Sequence, residues 1–233
     1  MNHWKPLIFV SFFTVASVVN AAPITWNAVQ NSSEESDVIT TGELVEALNG
    51  AAGGGSILVN GVTFNDATPA PLVDGFASAL NNSGATTGSA SYDSLLNTFA
   101  FGGGANVSLN LDIGGDGLSA NNLYLLQVWF TDLRPNSSGR KMIFGDGDGS
   151  TVTVDAVGTG LGQFAVGFFT ADGSSQALTL ATNGFSNVHL NAYQLRNLAP
   201  DDPDPVPAPA TLALVGLGMM LLRRILTRRS RQV

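Results

Sequence analysis

The sequence predicts an all-β domain, a jelly-roll-like two-sheet β-sandwich with one or two short helices, framed by an apolar segment at either end. Three observations predict this class. Between residues 22 and 200, short β-branched and aromatic runs are divided by Gly, Asn and Asp clusters. Val107, Leu109, Leu111 and Ile113 alternate with Ser108, Asn110 and Asp112, so one strand face is buried and the other wet. No stretch of this region carries a strong helical period.

The first element is a signal peptide over residues 1–21. His3 and Lys5 give a mildly basic start, and Leu7 to Val19 is apolar apart from Ser11, Thr14 and Ser17. Val19-Asn20-Ala21 then offers compact residues to a signal peptidase. Cleavage after Ala21 fits best, because cleavage after Ala22 would place Pro23 directly behind the scissile bond. The alternative is an uncleaved anchor, for which the run is short against the ~20 residues of a span.

The expected exported domain covers residues 22–200. Its strands are expected at Ile57–Val59, Val62–Phe64, Asn106–Ile113, Tyr124–Thr131, Lys141–Phe144, Thr151–Val154, Gln163–Thr170, Ala177–Ala181 and Val188–Leu195. Two short helices are expected: Gly42–Leu48, with Leu44, Val45 and Leu48 on one side, and Tyr92–Phe99, with Leu95, Leu96 and Phe99. Residues 201–205, Asp-Asp-Pro-Asp-Pro, form a stiff acidic linker.

The last element occupies residues 206–233. Val206-Pro207-Ala208-Pro209 leads into an apolar run that ends at Leu222, and five of the ten Lys and Arg residues follow within the last eleven positions. Residues 207–222 predict a transmembrane helix: they are short for a span, but arginines can snorkel and extend it. An amphipathic surface helix is the alternative, although Leu212–Leu222 has no polar face. Arg223, Arg224 and the arginines behind them place this end in the cytoplasm.

This order of short proline motif, apolar span and arginine cluster resembles the PEP-CTERM sorting signal of Gram-negative bacteria. Ala208 stands where that motif carries Glu. The resemblance implies a secreted protein held at least transiently in the membrane. An exosortase-type sorting protease would then remove the tail, leaving the protein at the cell surface or in the extracellular matrix of a bacterium that makes exopolysaccharide.

A second resemblance spans most of residues 24–197. It is carried by Ile24-Thr25-Trp26, Val59-Asn60-Gly61-Val62-Thr63-Phe64, Tyr124-Leu125-Leu126-Gln127-Val128-Trp129-Phe130-Thr131-Asp132-Leu133-Arg134, Gly162-Gln163-Phe164-Ala165-Val166-Gly167 and Leu190-Asn191-Ala192-Tyr193-Gln194-Leu195-Arg196. In outline it is similar to galactose-binding-like and malectin-like β-sandwiches, which implies carbohydrate binding only by analogy of fold.

Composition narrows the function classes. There is no cysteine, which removes thiol catalysis, thiolate metal sites and disulfides together. All 18 acidic residues lie between Glu34 and Asp204, opposed there only by Arg134, Arg140, Lys141 and Arg196, a net charge of −14. Nucleic acid and anionic lipid are poor partners for such a surface, whereas cations and neutral glycans are compatible with it.

Candidate chemistry is sparse. Gly145-Asp146-Gly147-Asp148-Gly149-Ser150 places two carboxylates in a glycine-rich turn, where Asp146 and Asp148 could present oxygens to Ca²⁺. The loop lacks the terminal Glu of an EF-hand, and a strand-connecting turn uses the same residues for backbone reasons. Trp129, Asp132 and Arg134 form the candidate glycan contacts. Trp129 shares its strand face with Gln127, and Asp132 and Arg134 follow at the strand end. Their other reading is a core Trp beside a structural ion pair. His189 is the one histidine between residues 22 and 200, and there is neither a Gly-x-Ser-x-Gly elbow nor a His-rich zinc pattern. The expected function is therefore an exported, non-enzymatic protein associated with exopolysaccharide. A purely structural or adhesive matrix protein is the first alternative, and a secreted glycoside hydrolase using paired carboxylates is the second.

Overall fold

The computed structural model describes residues 22–67, 77–80, 82–104, 106–184 and 187–198. The expected signal peptide, acidic linker and sorting tail, with Val206, Pro207, Ala208, Pro209, Arg223 and Arg224, lie outside the described residues. Among the described residues, no helix is long and apolar enough to cross a membrane. The described residues up to Asn197 belong to one compact unit.

The strands in chain order are β1 (Thr25–Trp26), β2 (Gln30–Asn31), β3 (Glu43–Asn49), β4 (Ile57–Val59), β5 (Val62–Phe64), β6 (Ala77–Ala79), β7 (Phe99–Gly102), β8 (Ser108–Ile113), β9 (Leu123–Phe130), β10 (Lys141–Gly145), β11 (Thr151–Asp155), β12 (Gln163–Thr170), β13 (Gln176–Thr182), β14 (Val188–Leu190) and β15 (Ala192–Asn197). A short 3₁₀ turn covers Glu35–Asp37, and helix α1 covers Ala90–Asn97. The larger sheet runs β1-β12-β9-β15-β3, with β2 also on β12, and the second runs β11-β10-β13-β8. A three-stranded sheet β14-β7-β6 and the hairpin β4-β5 complete the β structure. All these strand pairings are antiparallel.

The two larger sheets make an all-β sandwich. Tyr124, Leu126, Val128 and Phe130 of β9 lie in one core cluster with Met142 and Phe144 of β10, Val152 and Val154 of β11, and Leu178 and Leu180 of β13. Register places Ala165 of β12 and Tyr193 of β15 on either side of Val128, so the core face continues across three strands. Period-2 alternation explains the second sheet. Thr151 and Thr153 are exposed while Val152 and Val154 are buried, and Leu111 and Ile113 of β8 are buried as expected.

Three expectations need correction. Gly42–Leu48 is not a helix: Gly42 has φ +84°, and β3 runs from Glu43 along the edge of the larger sheet, paired with β15. The expected strand Val188–Leu195 is two strands, β14 on β7 and β15 between β9 and β3. The break falls at Asn191, which is fully buried. Its side chain accepts from the Thr131 N–H at 2.8 Å and donates to the Leu96 carbonyl at 2.6 Å. The expected strand at Asn106 begins at Ser108 instead. By contrast, the helix expected at Tyr92–Phe99 is present as α1. Ser89 caps it through the Tyr92 N–H, and Tyr92, Leu95 and Leu96 are buried.

Candidate functional site

Strand β9 is buried on both faces. Leu125, Gln127 and Trp129 lie opposite the sandwich core and are no more than 4 % exposed. Beside Gln127 runs the irregular segment Val38–Gly42, which the sheet holds through polar side chains. Gln127 donates to the Asp37 carbonyl at 2.7 Å and accepts from the Ile39 N–H at 3.1 Å. Gln194, directly across from Gln127, donates to the Ile39 carbonyl at 2.9 Å and to Gln127 Oε1 at 2.6 Å. Arg196 donates to the carbonyls of Thr40, Thr41 and Gly42 at 2.7–2.8 Å. These side chains replace the ladder that an irregular backbone cannot form.

Trp129 is therefore closed to a sugar ring. It is fully buried, it meets Phe64 edge-on at 5.5 Å, and its indole N–H donates to Tyr92 Oη at 3.2 Å. Tyr92 in turn donates to Asp37 at 3.1 Å. Burial and the Asp37 charge push the Tyr92 phenol above its ordinary value, so it stays a neutral donor. The Gln127 that marked this face as polar serves the chain itself.

Asp132 and Arg134 do meet, as an ion pair. Arg134 Nε and Nη2 grip the two Asp132 oxygens at 2.7 and 2.8 Å, and Arg140 Nη1 reaches Oδ2 at 2.5 Å. Asp132 is fully buried, while the Arg134 side chain is 38 % exposed. Burial alone would raise the Asp132 pKa, but the hydrogen bonds from Arg134 and Ser137 outweigh it and hold the carboxyl well below the usual carboxylate range. Arg140 also donates to the Asn187 carbonyl at 2.7 Å.

His189 completes this cluster and was not joined to it in the sequence. Its ring stacks on Phe99 at 3.8 Å, meets Phe130 edge-on at 5.1 Å, and holds Nδ1 3.9 Å from Asp132 Oδ2. Among the described residues neither ring nitrogen has a partner at hydrogen-bond distance and angle, and burial together with the Arg140 charge pushes its pKa well below the ordinary value, against a small opposing pull from Asp132 and Asn191. A neutral ring sealed between two phenylalanines cannot reach a substrate, so the cluster works as a structural tie.

The glycine-rich segment after β10 is a tight turn into β11. Asp146 is 1 % exposed and accepts from three backbone N–H groups, Ile24 at 3.0 Å, Asp148 at 2.9 Å and Ser150 at 3.2 Å. Gly147 and Gly149 take φ +88° and +111°, which the curl requires. These donors claim the oxygens that Ca²⁺ would need, and Asp148 is exposed beyond them, so the pair does not fit a calcium cage. Among the described residues, no three His, Cys, Asp or Glu side chains converge to hold a metal ion.

A cleft of about 480 Å³ opens elsewhere, on the flank of the β4-β5 hairpin. One wall is the turn Gly53–Ser56 with Ile57 and Leu58, another is the Ala90, Ser91 and Ser94 face of α1, and Leu80 and Thr98 close it. The turn is fixed from behind. The Asp66 carboxylate accepts from the N–H groups of Gly53 at 3.0 Å and Gly55 at 3.2 Å, and Asn49 donates to the Gly55 carbonyl at 3.1 Å. Leu58 is 60 % and Leu80 45 % exposed, two of the four large apolar side chains that the described residues leave open to solvent.

No protein-family model matches the chain, and no curated protein matches it. The structure is similar to the ANXUR1 extracellular domain from Arabidopsis thaliana, with a TM-score of 0.49 and 16% identity over 66% of this chain. It spans about half of that domain, 48%. It is also similar to the CBM22-1 xylan-binding domain from Paenibacillus barcinonensis Xyn10C, with a TM-score of 0.38 and 14% identity over 70% of this chain and 99% of that one.

Proposed function

We propose that this chain is an exported protein, sorted to the cell envelope of a Gram-negative bacterium, that associates with extracellular polysaccharide and catalyses no reaction. The observation that carries the reading is the tail. Val206-Pro207-Ala208-Pro209, the apolar run to Leu222 and the arginines from Arg223 follow one another in the order of a sorting signal. An apolar leader at residues 7–19 supports export, and the net charge of −14 between the two ends suits a domain that works in water among neutral polymers. An exosortase-type protease and the membrane are the partners this tail implies. Between β8 and β13 the chain crosses from sheet to sheet at every step except the β10-β11 hairpin, which supports the jelly-roll reading of the sandwich.

The interior supports a binding or structural role over hydrolysis. The buried carboxylates Asp132 and Asp146 are each engaged by two arginines or three backbone N–H groups, which leaves neither placed to protonate a glycosidic oxygen. A purely structural matrix role is the second reading. It is favoured by the larger sheet spending Gln127, Gln194 and Arg196 on its own chain.

Deleting residues 206–233 tests the sorting half. The expected result is release of the protein from cells into the medium. Retention in the envelope at the wild-type level would overturn it.

A further inference from the structure

We propose that the cleft between the Gly53–Ser56 turn, β4 and α1 is the docking site for an uncharged saccharide. This deepens, and rests on, the polysaccharide-association reading, and it moves the ligand away from Trp129, Asp132 and Arg134.

The first argument is chemical. A sugar ring offers an apolar C–H face and a rim of hydroxyls, so its site needs an apolar platform beside neutral donors and acceptors. Leu58 and Leu80 supply exposed aliphatic surface to one space. Ser56, Ser91, Ser94 and Thr98 line it as neutral polar residues, the Ser94 hydroxyl donating to the Ala90 carbonyl at 2.8 Å. Leu58 is not explained by packing: it alternates with the buried Val59 and points out of a hairpin whose inward residues, Val59, Val62 and Phe64, are at most 2 % exposed.

The second argument is charge. Among the described residues, no Asp, Glu, Lys, Arg or His lines the cleft, in a chain that carries −14 between Glu34 and Asp204. Without a cation among these residues it offers no counter-charge for a phosphate, a sulfate or a uronate, and the net negative charge of the chain disfavours all three. Among the described residues it has no free carboxylate to hold a metal, since the Asp66 oxygens are turned onto Gly53 and Gly55. What remains compatible is a neutral, hydroxyl-rich molecule.

The third argument is preorganisation. Gly53 and Gly55 take φ +86° and +76°, and a Cβ at either would meet nothing within 4 Å. Of the two, Gly53 lines the cleft with its backbone uncrowded, while Asp66 holds both N–H groups and keeps the turn rigid. The opposite wall is equally fixed, because Tyr92, Leu95 and Leu96 root α1 in the domain. At about 480 Å³ the cleft falls within the ~300–1,000 Å³ range of small-molecule sites. A site that is built before the ligand arrives loses little entropy on binding.

The test uses the full chain in mild detergent, retained on gels containing soluble glucan, galactomannan or arabinoxylan, with polygalacturonate as the charged counterpart. Two variants are compared. Leu58→Asp puts a charge on the apolar platform at an exposed position, and Ser91→Trp fills the cleft from the helix. The expected result is retention by at least one neutral polymer, weakened tenfold or more in both variants at an unchanged melting temperature. If one variant melts lower, the other is decisive. Retention of both variants at the wild-type level would overturn the cleft and leave the polysaccharide reading standing, as would binding to polygalacturonate alone. Binding of the wild type to no polymer would overturn both.

Discussion

Replacing His189 should change how the stability of this domain depends on pH. The ring is fully buried between Phe99 and Phe130, beside Arg140, and its pKa is pushed well below the ordinary value. An unfolded chain protonates the same ring near its reference pKa of ~6.5. Between that value and the depressed folded one, the unfolded state binds a proton that the native state refuses. The stability is therefore fully present above pH ~6.5 and declines as the pH falls. The slope approaches about 1.4 kcal/mol per pH unit, so lowering the pH from 7 to 5 should remove about 2 kcal/mol. For a domain of this size that corresponds to roughly 4–8 °C in Tm. No other histidine lies between residues 22 and 200. His189→Phe keeps a flat ring against Phe99 and abolishes the titration. Urea unfolding of residues 22–198 at pH 7, 6 and 5 should show the variant losing about 2 kcal/mol less than wild type over that range. Equal losses in the two proteins would refute the assignment of a neutral, sealed imidazole.

Other substitutions probe different joints. Gly50→Ala would put its Cβ 2.1 Å from the Leu190 carbonyl oxygen and 2.8 Å from the Ala100 nitrogen, both backbone atoms. It should cost about 3 kcal/mol or prevent folding, which chemical denaturation or soluble yield will report. Arg196→Met removes the donors that hold Thr40, Thr41 and Gly42, and should cost about 2 kcal/mol and speed hydrogen exchange at Ile39 selectively. Asp146→Ala strips the acceptor from three N–H groups and should lower stability by about 2 kcal/mol, whereas EDTA should leave the wild-type melt unchanged. A drop of several degrees with EDTA, reversed by Ca²⁺, would restore the calcium reading of that turn.

The legible parts of the fold were those governed by local period. Val107 to Ile113 and Thr151 to Val154 were found because one residue in two points to a core, and the central strand at Tyr124 to Phe130 because its apolar and aromatic run is short and bounded by turn residues. The failure at Glu43–Asn49 has a physical cause. Glu, Leu and Ala favour helix, and Leu44, Val45 and Leu48 share a helical side, but pairing with β15 outweighs both preferences. The division of β14 from β15 was hidden because no Gly or Pro marks it, and the Asn191 side chain acts through Thr131 and Leu96, which are distant in sequence. The misplaced glycan contact at Trp129 has a similar origin. Nothing in the strand itself reveals that residues 37–42 and Tyr92 will meet its second face. The cleft gathers Leu58, Leu80 and Ser91 from three stretches, with no shared motif to connect them.

The segment Val38–Gly42 can be viewed as a ligand that never leaves. Gln127, Gln194 and Arg196 treat it much as a receptor treats a bound peptide, recognising main-chain groups and paying little regard to side chains. Both of its ends are covalently tethered, one to the Glu35–Asp37 turn and the other to β3, so its effective concentration lies in the millimolar range or above. A free peptide of the same sequence would compete poorly at micromolar levels. A single proteolytic cut between the exposed residues Thr40 and Thr41 would change that balance. Each half would keep one tether and part of the contacts, and the polar row Gln127, Gln194 and Arg196 would become easier to reach from outside, while Phe64 and Tyr92 still covered Trp129.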